Sequence, residues 1–118
     1  RDGNESLQRL VLTSLGTVTD PETVMAVAAV ATTHKTWAIR AIAVETLGRL
    51  GKNGSSDIAT RLSSIAKNDS YALVREAALA ALVRVDRNAA VAVARDLSAS
   101  DSEPHVRASA SAIVNPKR

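Results

Sequence analysis

The 118-residue sequence predicts an all-α fold: a solenoid of about three and a half stacked two-helix units, seven helices in all. Three observations carry this prediction. Four segments superimpose at separations of 32, 35 and 32 residues, and each copy places its apolar residues at helical spacing. The chain also holds 22 alanines against two aromatic residues, Trp37 and Tyr71. A period of about 20 to 50 residues marks repeat architectures, whose units bury their apolar faces only by stacking on neighbours. No alternating strand pattern competes with the helical one.

The helices follow in order. The first, about 5–18, carries the stripe Leu7, Val11, Leu15 and Val18, spaced four, four and three residues apart so that all lie on one face. The second, about 21–33, starts at Asp20-Pro21-Glu22, an N-cap followed by Pro at the first helical position, and aligns Thr23, Val27 and Val30. The third, about 37–50, repeats the first stripe with Ile39, Ala43, Leu47 and Leu50 and stops at Gly51 and Asn53-Gly54. The fourth, about 56–67, is capped from Ser55-Ser56-Asp57 and carries Ile58, Leu62 and Ile65 in register with the second. The fifth, about 71–85, carries Val74, Ala78, Leu82 and Val85; the sixth, about 88–99, carries Ala90, Ala94 and Leu97. The seventh, about 104–114, carries Val106, Ala110 and Val114 before Lys117 breaks the pattern and Asn115-Pro116 ends it. The whole is expected to be one domain, 1–118, with units of about 1–18, 19–51, 52–86 and 87–118.

Composition explains how such a chain packs and excludes several function classes. A ring buries roughly 150 to 250 Å², and with no Phe the core must be built from aliphatic side chains. The recurring Ala43, Ala78 and Ala110 column lets helices lie close. The absence of Cys leaves no disulfide framework, thiolate nucleophile or Cys-ligated zinc. No window approaches the roughly 18 consecutive apolar residues of a membrane span. The opening Arg1-Asp2-Gly3-Asn4 lacks an initiator Met and the apolar run of a signal peptide, as expected of a piece of a longer protein. A net charge of +3 is weak support for polyanion binding.

Asp101, Pro104, Val106 and Arg107, then Val74-Arg75-Glu76-Ala77-Ala78, then Thr46-Leu47-Gly48-Arg49-Leu50 fit the opening, middle and end of one family pattern. On these residues the chain resembles the HEAT and HEAT-like (PBS-lyase-type) repeats over nearly its whole length. The resemblance implies a right-handed α-α superhelix whose second helices line a concave surface. It also implies a structural ladder of Asp69, Arg75, Asp101, Arg107 and Arg40. The Asp would cap a second helix, and the Arg near its start would reach an Asp of the adjacent repeat. The sequence departs from this in two copies, where His34 stands at the Asp position before Arg40 and Gln8 at the Arg position after Asp2.

Candidate chemistry is sparse. His34 and His105, read as occupying matching interhelix corners, lie in no metal-binding spacing. Asp101-Ser102-Glu103-Pro104 lacks the ligand spacing of a calcium loop and serves as a helix start. Gly51-Lys52-Asn53-Gly54 is not a phosphate loop. Glu45 and Glu76 face one groove without a companion nucleophile, so no catalytic residue, metal or cofactor is expected. Trp37 and Tyr71 are expected to pack against the preceding turns. The stretch Thr23 to Thr33 carries no charge, which fits a helix covered by further sequence, a second copy or a partner, although much of its surface is Ala and Thr.

The functional weight falls on the outward positions of the second helices: Arg9, Thr13, Glu45, Arg49, Glu76 and Arg84, among alanines at 41, 80, 108 and 112. They describe a shallow groove suited to a peptide or partner helix. The expected function is therefore a non-catalytic protein-binding or scaffolding module. One alternative is a nucleic-acid binder with a weakly basic groove, though few clustered cations remain once the ladder arginines are paired. Another is an accessory domain of a larger enzyme, by resemblance to bilin lyases.

Overall fold

The computed structural model describes residues 21–52 and 55–116. They form six helices: α1 (Pro21–Thr33), α2 (Trp37–Leu50), α3 (Ser56–Asn68), α4 (Ala72–Val85), α5 (Arg87–Ser100) and α6 (Pro104–Val114). There is no strand among the described residues. The helix expected over 5–18, with Leu7, Val11, Leu15 and Val18, lies outside them. Loops of a few residues leave consecutive helices antiparallel neighbours. Thus α1 packs on α2, α3 on α4 and α5 on α6. Across units, α2 stacks on α4 and α4 on α6, while α1 stacks on α3 and α3 on α5. This is an all-α solenoid.

Helix ends follow local chemistry. Ser55 caps α3 by accepting from the Ile58 N–H at 3.2 Å, and Asp86 caps α5 by accepting from the Ala89 N–H at 3.1 Å. Pro104 opens α6, where its missing N–H costs nothing. The second helices start differently: Tyr71 and Glu103, the N-cap residues of α4 and α6, offer no side-chain cap.

The core is made of stacked columns. Ile39, Val74 and Val106 are fully buried, as are Ala43, Ala78 and Ala110 one turn on and Leu47 and Leu82 beyond them. Each fully buried Ile or Leu contributes about 1.5 to 3 kcal/mol. Alanine's part is geometric, since a methyl group at each crossing brings the helices together. The third column ends at Val114, which is half-buried on the last described helix. Lys117 lies outside the described residues.

Two features depart from the expected stripes. In α1 the buried set is Val24, Val27, Ala28 and Ala31, with Thr23 and Val30 half-buried. With apolar or small residues at nearly every position, the α1 sequence leaves its rotation to the neighbouring helices. Its solvent side carries Met25, 62% exposed, with Ala26, Ala29, Thr32 and Thr33. At Gly51, which ends α2 at φ −96°, no left-handed turn requires glycine. Space does: a Cβ there would lie 2.8 Å from Ile58 Cγ2 and 3.0 Å from Val85 Cγ2. Gly48 is tighter in kind, for its Cβ would stand 2.9 Å from the Cβ of Ala81 where α2 crosses α4.

Candidate partner-binding surface

The loops that lead into the second helices are tied together by arginine. Arg75 Nε and Nη2 donate to Asp101 Oδ2 and Oδ1, both at 2.9 Å, and Nη1 donates to the Asp69 carbonyl at 2.9 Å. Arg40 repeats the geometry one unit earlier, with Nε and Nη2 on Asp69 at 3.0 and 3.1 Å and Nη1 on the His34 carbonyl at 2.8 Å. Arg107 Nη1 reaches the Asp101 carbonyl at 2.8 Å. Each arginine thus grips its own loop with one nitrogen, and Arg40 and Arg75 use the remaining fork on the next unit's aspartate. The planar guanidinium suits this bidentate contact.

The aspartates do not act as N-caps. Asp69 Oδ1 accepts from the Tyr71 N–H and Asp101 Oδ1 from the Glu103 N–H, both at 2.9 Å, so each holds the N-cap residue two positions on. His34 does the same with Nδ1, accepting from the Thr36 N–H at 3.0 Å. An imidazole nitrogen therefore replaces the carboxylate's role in the turn. Burial pushes the Asp101 carboxyl up, but the Arg75 hydrogen bonds, the Glu103 N–H and the charges of Arg75 and Arg107 outweigh it and hold the group below its ordinary value. The hydrogen bond to Asp101 raises Arg75 above its usual value against the opposing effect of burial.

The outward side of the second helices carries charges not used in this ladder. Glu45 and Arg84 are exposed and line a cleft of about 80 Å³ with Ala77, Ala80 and Ala81. Arg49 is half-buried and sends Nη2 toward Thr46 Oγ1 at 3.5 Å. Glu76 is half-buried with Oε2 inaccessible and without a hydrogen bond; His105 Nδ1 stands 3.7 Å away on a side chain that is 92% exposed. Among the described residues, Glu45, Arg49 and Arg84 form no ion pair.

A family model for HEAT repeats matches residues 1–83, more than half of the chain. The chain belongs to the HEAT-repeat family. No curated protein matches it, and no solved structure does. HEAT repeats generally mediate protein–protein interaction or scaffolding and are typically non-catalytic. Among the described residues, no helix is long and apolar enough to cross a membrane.

Within these HEAT repeats the sequence-predicted residues fare unequally. Glu45 and Arg84 come together in one cleft, whereas Arg49 and Glu76 stand outside it, and Arg9 and Thr13 lie outside the described residues. The two histidines do not match: His34 sits in the loop before α2, and His105 is in the first turn of α6. Among the described residues no group of acids and histidines could hold a metal ion. Trp37 and Tyr71 stack on each other across adjacent repeats, with centroids 4.6 Å apart and planes 15° from parallel. Both stay at the surface, 37% and 40% exposed, beside Leu73 at 49%. Sequence reasoning missed Leu73. Its place in α4, two residues past Tyr71 and outside the buried stripe, was the available signal.

Proposed function

We propose that this HEAT-repeat chain is a non-catalytic module that binds a partner peptide or helix along the outward face of α2, α4 and α6. The observation that carries the reading is the division of charge. The ladder ties Arg40 and Arg75 to carboxylates inside the stack, while Glu45, Arg49 and Arg84 stand on a face shared with Glu76 and a row of alanines. Unpaired charges flanking small residues favour a partner that lies close and is held in register by complementary charge. The same division counts against a nucleic-acid groove, because Arg49 and Arg84 share the face with Glu45 and Glu76.

Affinity capture with the native chain and with an Arg49→Glu, Arg84→Glu variant tests the reading. A protein held by the native chain and released by the variant, with unchanged thermal unfolding, supports it. A protein held equally by both chains overturns it. So does recovery of nucleic acid alone, falling steeply with salt.

A further inference from the structure

The chain has two rings and places both at its surface, stacked at one corner of the solenoid. The N-cap positions of successive second helices run Thr36, Tyr71 and Glu103, so the corner after Tyr71 holds an acid where Tyr71 has a ring. Between Tyr71 and Glu103 lies a cavity of about 380 Å³ lined also by Ser70, Ala72, Leu73, Arg75 and Ser102. Trp37 covers one face of Tyr71, and Tyr71 is among the residues that line this space. Leu73 forms a half-exposed apolar edge, and Glu76 lies one turn further along α4.

We infer that this corner is a docking site for an arginine side chain of a partner protein. Three requirements of the site meet in that one side chain. Its methylene stem covers Leu73, its planar head stacks on the open face of Tyr71 as the third layer after Trp37, and its charge meets Glu103. The charge balance favours a cation. The positive charge of Arg75 is matched by Asp101 through two hydrogen bonds. Glu103, the N-cap residue of α6, is the carboxylate that remains in the cavity lining. Glu103 makes no ion pair among the described residues. A lysine has the charge but not the plane, and a neutral aromatic leaves Glu103 unanswered.

The corner shares no residue with the Glu45–Arg84 cleft, so it stands or falls separately from the groove reading. Three capped peptides test it, Gly-Gly-X-Gly-Gly with X as arginine, lysine or citrulline, the last being the neutral isostere of arginine. Amide shifts of Tyr71, Leu73 and Glu103 and the emission of the sole tryptophan, Trp37, report binding. The arginine peptide is expected to saturate these signals at millimolar concentration, about threefold tighter than the citrulline peptide, the scale of one exposed charge pair, and tighter than the lysine peptide, which lacks the plane. Glu103→Gln is expected to erase the advantage over citrulline while leaving the citrulline response unchanged. Equal responses to the three peptides, no shift at these residues, or an advantage over citrulline that survives Glu103→Gln each overturn the proposal.

Discussion

Asp101 shows what a single side chain does in this stack. It is 9% exposed and holds Arg75 by two hydrogen bonds, the Glu103 N–H by a third and Arg107 through its carbonyl. Such a pair adds little net stability compared with apolar residues of equal size, yet removing one partner strands the other charge. Asp101→Asn is expected to lower unfolding stability by about 3 kcal/mol at neutral pH, measured by urea denaturation. The carboxyl is held below its unfolded value, so the unfolded chain takes up its proton first as pH falls. The contribution is therefore complete above the unfolded pKa of about 3.9 and is lost as pH falls through the lower folded value. The native chain should lose stability in that acid window with a steeper slope than Asp101→Asn.

Between elements, the decisive dimension is the distance at which α2 meets α4. An α-helix gains by roughly 1 kcal/mol when an exposed interior Gly becomes Ala. At position 48 the added methyl would stand 2.9 Å from Ala81 Cβ, and both residues lie on helices held by their neighbours. Overpacking of this kind costs about 1 to 3 kcal/mol. Gly48→Ala is therefore expected to destabilise the chain in chemical denaturation despite the better helix former. A gain in stability would mean that α2 and α4 can separate freely. Arg84→Ala, on the solvent side of the same helix pair, is expected to change stability by less than about 0.5 kcal/mol.

Over the whole molecule, the arginines make a chain of shared residues. Asp69 takes Arg40 on its carboxylate and Arg75 on its carbonyl, while Oδ1 also holds the Tyr71 N–H. Successive rungs therefore act on one loop, and repeat proteins pass stability between nearest neighbours. Arg40→Met and Arg75→Met are expected to be non-additive by about 0.5 to 3 kcal/mol in a double-mutant cycle. Among the described residues Arg61 pairs with the exposed Asp57 on its own helix, so Arg61→Met combined with Arg75→Met is expected to be additive.

Much of this was legible in the residues because repetition supplies its own comparison. The 32- and 35-residue offsets align Ile39, Val74 and Val106, and also Ala43, Ala78 and Ala110, and these columns are buried because helical spacing alone assigns them to one face. Charge and apolar contrast were needed for that reading, so it failed in α1, where neither marks a face. Among the described residues, the sequence by itself determined the helices, their pairing into repeats and, outside α1, the columns that face inward. Only the tertiary structure decided the rotation of α1, the steric demand for glycine at positions 48 and 51, and the meeting of Trp37 with Tyr71. These depend on distances between residues of different repeats, which are set by how side-chain volumes fit when the helices stack.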